Sequence, residues 1–206
     1  MSLNQNRWIE LCNAAGISGD NGSTFTRLVA AYSEPHRRYH NLRHISECQH
    51  EFDPVRSYAH SPVAVELAIW FHDAIYDTKA PDNEERSAAW AQEFLREAAD
   101  STLGDRVARL VLATKRHDIT LDEDAGLLVD VDLSILGQPE KRFWEYETQI
   151  RQEYSWVEDA VFRAKRAEIL EQFLARERIY STEQLSVKYE HQARKNLEAS
   201  IVRLRD

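Results

Sequence analysis

Three short stretches of this chain place side chains that bind metals or move protons where the surrounding pattern does not call for them. In "YHNLRH" (39–44), His40 and His44 stand four residues apart among arginines. In "WFHDAIYD" (70–77), the doublet His72–Asp73 closes an apolar run containing Trp70 and Phe71. An ionised carboxylate there is costly to bury unless something neutralises it. A divalent cation does so by taking imidazole nitrogen and carboxylate oxygen together; a helix-end His–Asp pair capped by solvent is the plain alternative. In "LLVDVDLSILG" (127–137), a helix sets Leu128, Val131, Asp132 and Ile135 on one apolar face, with Asp130 pointing away. A strand would alternate Val129, Val131, Leu133 and Ile135 with Asp130, Asp132 and Ser134, but Leu136 breaks the alternation and no partner strand is evident.

His44, His72, Asp73 and Asp132 together would give a cation two imidazoles and two carboxylates. That set leaves room in an octahedral shell for water and substrate oxygens, and suits Mn, Mg, Fe, Ni, Co or Zn. Around it lie candidate substrate contacts. Arg37, Arg38 and Arg43 have no acid between Pro35 and Ile45 in a chain of net charge −9. Such a patch fits phosphate, or else a solvated helix face pairing with Glu34 and Glu47. Lys115 and His117 in "ATKRHD" (113–118) are further candidates, His117 as a second-metal ligand, a substrate contact or a helix-end histidine. Glu84, Glu85 and Asp130 are candidates for a place behind the ligands or at a second metal. For Glu84 and Glu85 the ordinary alternative is pairing with a helix dipole. His36, His50, His60 and His191 read as structural or surface residues.

These groups need helices to position them. Six glycines and five prolines in 206 residues leave little material for tight β-turns. Ala64, Leu67, Ala68, Phe71 and Ile75 follow Pro62 at helical spacing. Leu103, Val107, Leu110, Val111 and Thr114 form another stripe, and Leu185, Tyr189, Ala193, Leu197, Ile201 and Leu204 a third. Turn residues cluster over 16–23, 78–83, 115–126 and 137–140, and Pro81–Asp82–Asn83 predicts a capped start for a helix over 84–99. Asn41 is a candidate N-cap, which leaves His40 just outside the helix that carries His44. The pattern predicts a single all-α domain of about eight to ten helices, with a long α-hairpin in the last ~60 residues.

The order His44, His72–Asp73, Asp132 resembles the HD superfamily of metal-dependent phosphohydrolases, and the phrasing is similar to a bacterial group of predicted HD phosphohydrolases. The likeness runs from about Tyr32 into the C-terminal helices, with a motif core near 32–137 and C-terminal helices near 140–206. "YHNLRHI" resembles the YHNxxHA element of cyclic-nucleotide phosphodiesterases, which implies His44 as ligand and His40 as general acid. "DLS" at Asp132–Ser134 is similar to that family's last ligand motif. "HDAIYDT" resembles the HDxxEDT stretch of Rel/SpoT-type hydrolases of guanosine polyphosphates, which implies Asp77 as the carboxylate that positions or activates water. Tyr76 stands where that family has Glu, and a tyrosine cannot replace a carboxylate base at pH 7.

The expected function is therefore hydrolysis of a phosphate ester or anhydride in a small molecule, a nucleotide among the candidates, with a divalent metal as cofactor. A di-iron oxygenase of HD type and a non-catalytic metal- or nucleotide-binding helical module are the alternatives. The acidic balance, 35 acids against 26 bases, argues against nucleic-acid polymers and anionic membranes as partners. No apolar run approaches ~18 residues. Cys12 and Cys48 form no CxxC pair and fit a reducing compartment, so the expected location is the cytoplasm. A homo-oligomer is neither indicated nor forbidden.

Overall fold

Eight consecutive residues, Ala64 to Phe71, are buried, and they form the middle and end of the helix that carries His72. A helix apolar on every side belongs in the centre of its domain. The computed structural model describes residues 4–17, 21–96, 98–117 and 122–206, and among these the chain is all-helical, with ten α-helices and no strand. They are α1 (Gln5–Ala14), α2 (Asn21–Tyr32), α3 (Leu42–Phe52), α4 (Pro62–Phe71), α5 (Asn83–Phe94), α6 (Leu103–Thr114), α7 (Glu123–Asp132), α8 (Glu140–Glu153), α9 (Asp159–Leu174) and α10 (Glu183–Arg205). Short 3-10 helices follow α3 at Asp53–Tyr58 and α7 at Leu133–Gly137. The turns expected over 16–23 and 115–126, and the helix over 84–99, include residues 18–20, 118–121 and 97, which lie outside the described residues.

The chain divides into two compact units, residues 1–129 and 130–206, and the division falls inside α7. In the first unit α4 packs against α1, α3, α5 and α6. Its start is prepared by Pro62 at the first turn and by Asp124 of α7, whose carboxylate accepts the N–H groups of His60 (2.7 Å) and Ser61 (2.9 Å). Those bonds satisfy donors just ahead of the helix and fix where it begins. Glu66 is the one acid inside the buried run; it is held by Arg7 (Nε–Oε1 2.6 Å) and by Arg56, so its charge is compensated. Trp70 meets the edge of Trp8 at 5.1 Å between ring centroids, and Trp8 stacks on Phe94 at 5.3 Å. Rings of this kind each take about 150–250 Å² out of water, which anchors the far side of α4 while its C-terminus is left for the site.

The spacing predicts a one-sided stripe ending at Ile75, and here the structure differs. The α-helix ends at Phe71, and Ile75 lies in the following turn, its N–H donating to Ser87 Oγ at 3.0 Å. The stripe predicted over 103–114 is buried at all five of its positions. Asp82 stands at the N-cap of α5 without a side-chain bond, because Asn83 pairs with the backbone of Asp77 instead.

In the second unit α9 packs on α10, and α10 packs on the 3-10 segment Leu133–Gly137. A Cβ on Gly137 would fall 2.5 Å from Tyr189 Cβ, so only glycine allows this approach. Asn196 Nδ2 donates to the carbonyls of Leu136 and Gln138, both at 2.8 Å, and Tyr180 Oη donates to Leu133 O at 3.0 Å. The strand alternative over 129–135 is overturned: α7 runs as a helix to Asp132.

Candidate metal centre

His72 caps the C-terminus of α4, its N–H donating to Ala68 O at 2.8 Å. Its ring Nδ1 lies 3.0 Å from Ile69 O. A carbonyl only accepts, so Nδ1 carries a proton, and Nε2 is the nitrogen that faces His44 and Asp73. His44 sits in the first turn of α3, behind the cap Asn41, whose Oδ1 accepts the Arg43 N–H at 2.8 Å. The two imidazoles meet at 3.0 Å between Nε2 atoms. Asp73 Oδ2 lies 3.0 Å from His72 Nε2 and 3.6 Å from His44 Nε2. His44 and His72 are buried, and the Asp73 side chain is 18% exposed.

Three ligand atoms from two helices and a turn thus converge at the spacing of one coordination shell. Ligand atoms bound at about 2.1 Å lie about 3.0 Å apart on neighbouring octahedral corners, and about 3.4 Å apart on tetrahedral ones. The observed separations fall at and around these values, so the residues present fit a divalent cation. Burial alone would raise the Asp73 carboxyl. The charges of His72, His40 and His44 and a hydrogen bond from His72 outweigh that and hold it well below the usual carboxylate range.

The turn that carries Asp73 is fixed from below by Arg37, whose side chain is 1% exposed. Its guanidinium donates to Asp73 O (2.6 Å), Ala74 O (3.1 Å) and His40 O (3.3 Å), and its Nε pairs with Glu34 at 2.9 Å. It also lies 5.1 Å from the centre of the Tyr32 ring. Tyr32 in turn donates its hydroxyl to Trp70 O at 2.9 Å. Arg37, expected from sequence as a phosphate contact, is spent on the backbone that presents the ligands. Arg37→Lys is expected to cost about 2–3 kcal/mol in thermal unfolding, since an ammonium cannot reproduce the fork and three carbonyls lose donors. A change under half a kcal/mol by calorimetry would contradict this role.

The other predicted residues take varied places. His40 lies just outside α3, half-buried, its ring 5.9 Å from that of His44 and 4.3 Å from that of Tyr76. Arg38 and Arg43 are exposed, Arg43 paired with Glu47 at 2.9 Å. Asp77 is exposed, and its Oδ1 accepts the Lys79 N–H at 2.9 Å, a turn contact within its own loop. Lys115 Nζ donates to Pro81 O at 2.7 Å and pairs with Glu85 at 2.5 Å and Glu84 at 3.8 Å. The hydrogen bond from Lys115 holds the Glu85 carboxyl low. His117 is half-buried, with φ of 49° where the backbone turns out of α6; Asp118 lies outside the described residues.

Asp132 is the last residue of α7 and is half-buried, whereas Asp130 is fully buried. That reverses the exposure expected from a one-sided helix, because α7 is buried on every side from Asp124 to Val131. Both oxygens of Asp130 are committed to the backbone and hydroxyls of Ser181 and Thr182 (2.6–3.2 Å), so it is a structural acceptor and no second-metal ligand.

Two neighbours of the site escape a reading by motif. Tyr39 is buried with its ring 4.8 Å from that of His44. Cys48 Sγ lies 3.7 Å from His44 Nδ1. The i, i+4 spacing of His44 and Cys48 was the available signal, since it stacks side chains on one helix face. No family model matches the chain, and neither a curated protein nor a solved structure matches it. No helix among the described residues is long and apolar enough to cross a membrane.

Proposed function

We propose that this chain is a divalent-cation-dependent phosphohydrolase of HD type, working in the cytoplasm on a small phosphorylated compound, with nucleotides as the first class to test. His44, His72 and Asp73 would hold the cation, with Asp132 as the fourth ligand that the resemblance implies. The observation that carries the reading is the convergence of His44 Nε2, His72 Nε2 and Asp73 Oδ2. A carboxylate gathered with two imidazoles in a buried site needs a positive partner, and a divalent cation would supply it while taking the ring nitrogens as further ligands. A bound cation would supply charge to offset a phosphate and would lower the pKa of water.

The protein's own groups would do the rest. Water oxygen would bond to phosphorus and release its proton to solvent as the P–O bond to the leaving group breaks, while protonated His40 would give its proton to the departing oxygen and regain one from solvent. Arg38 and Arg43, both exposed at the rim of α3, would bind phosphate oxygens. Arg37 holds the two halves of the site in register through the carbonyls of His40 and Asp73. Asp77, with its carboxylate turned to Lys79, is given no catalytic step. An oxygenase would need further ligands from His117 and Glu84 or Glu85, and both glutamates face Lys115.

The test is a hydrolysis screen with Mn, Mg, Fe, Ni, Co and Zn, using nucleoside mono-, di- and triphosphates, cyclic nucleotides, guanosine polyphosphates and bis(p-nitrophenyl) phosphate. Metal-dependent phosphate release is expected, and Asp73→Ala should lower it by at least about 100-fold. Turnover that survives in Asp73→Ala overturns the assignment. Metal and nucleotide binding without turnover would move the chain to the class of binding modules.

A further inference from the structure

The turn after the ligand doublet brings an aromatic ring against the proton donor. Tyr76 lies three residues past Asp73, and its ring stacks on that of His40 at 4.3 Å between centroids, with 28° between planes. The ring is held from more than one side. Arg37 stands 5.5 Å from its centre, while His36 Nε2 contacts the Tyr76 carbonyl at 2.9 Å. Arg37 also bonds the carbonyls of Asp73, Ala74 and His40. The segment 36–40 and the turn 73–76 are therefore locked together, with the two stacked rings on the side of His44.

From this arrangement we propose that Tyr76 is a positioning residue for His40. Its ring face, rather than its hydroxyl, sets the plane and direction of the imidazole. His40 lies outside α3, where the backbone alone leaves its χ angles free. A flat ring at stacking distance removes that freedom and holds the imidazole over one fixed approach to the bound substrate. Tyr39 supports the opposite flank, meeting His40 edge-on at 4.9 Å. This assignment rests on the phosphohydrolase reading, and it gives a role to the tyrosine beside the ligand doublet.

The test compares Tyr76→Phe, Tyr76→Ala, His40→Ala and the double variant Tyr76→Ala/His40→Ala. Each is loaded with Mn and assayed on bis(p-nitrophenyl) phosphate, with metal content measured alongside. Tyr76→Ala is expected to lower kcat about tenfold with KM little moved and metal content retained, as misplacement of a proton donor does. Tyr76→Phe should keep kcat within about threefold of the parent, since the ring face remains. In the His40→Ala background the Tyr76→Ala change should have no further effect. NMR of the His40 ring gives a reading independent of turnover: the ring-current shift from Tyr76 should vanish in Tyr76→Ala and persist in Tyr76→Phe. An unchanged kcat in Tyr76→Ala, additive losses in the double variant, or no rescue by Phe overturns the proposal while leaving the metal reading intact. A parent protein that hydrolyses nothing overturns the phosphohydrolase reading and this assignment with it.

Discussion

Replacing His72 with alanine is expected to lower affinity for divalent cations by at least about 100-fold, the upper end of what losing a mere hydrogen-bonding partner of a ligand costs. The cause is local. His72 supplies the nitrogen that faces both His44 Nε2 and Asp73 Oδ2 at 3.0 Å, so its removal leaves the remaining pair without a common partner. The helix should survive, because the bond from His72 N–H to Ala68 O belongs to the backbone and is kept by alanine. Thermal unfolding separates the two effects. Metal at 100 times its dissociation constant stabilises a folded protein by about 2.7 kcal/mol, and the parent should gain that while the variant, at the same metal concentration, gains about 0.4 kcal/mol at most. A variant with parent-like metal stabilisation would contradict His72 as a ligand.

The second large effect is expected in the C-terminal unit, at Asp130. Its Oδ1 accepts the Ser181 N–H, and its Oδ2 accepts the Thr182 N–H and the hydroxyls of Ser181 and Thr182. These bonds pin the entry to α10, the longest helix, against the end of α7. Asparagine has nearly the same shape, yet in either orientation its NH₂ group meets a backbone N–H. Asp130→Asn should therefore cost about 3 kcal/mol, nearly as much as Asp130→Ala, because buried donors are left unpaired in both. The pH dependence has a definite sign. Burial raises the Asp130 carboxyl above its ordinary value, opposed by bonds from Thr182 and Ser181. A carboxyl raised in the folded state contributes stability that is full below the unfolded value near 4 and is lost as pH rises through the folded value. The parent's advantage over Asp130→Asn should therefore narrow as pH climbs from about 4. Denaturant unfolding across that range checks it; an advantage that widens with pH would contradict the assignment.

The parts of this protein that could be read from its sequence are those where polar groups interrupt an apolar pattern. His72–Asp73 stood out because an ionisable doublet ends a run that is buried at every residue from Ala64 to Phe71. The cap Asn41, and with it the separation of His40 from His44, followed from local backbone chemistry that needs only neighbours in sequence. The stripe on α6 was legible because one of its faces is exposed. What escaped were partnerships made through backbone groups or across long separations. Arg37 read as one of three cations facing phosphate or pairing with Glu34 and Glu47; it does pair with Glu34, but its other acceptors include carbonyls 36 and 37 residues further on, and a carbonyl leaves no mark in a sequence. Asp130 was expected to point away from the apolar face and is buried instead, because α7 is buried all round and periodicity had no polar side to point to. The division into two units had no linker to announce it, since it falls within a helix.

The central claim, that His44 and His72 share one cation, is tested most directly by titrating Co²⁺ into the protein and following the histidine ring nitrogens by NMR. Saturable shifts are expected at Nε2 of both His44 and His72. His72 Nδ1 should stay protonated against Ile69 O, and the exposed ring of His60, paired with Glu123, should not respond. Unperturbed His44 and His72 signals at saturating metal, or a response confined to surface histidines, would contradict it.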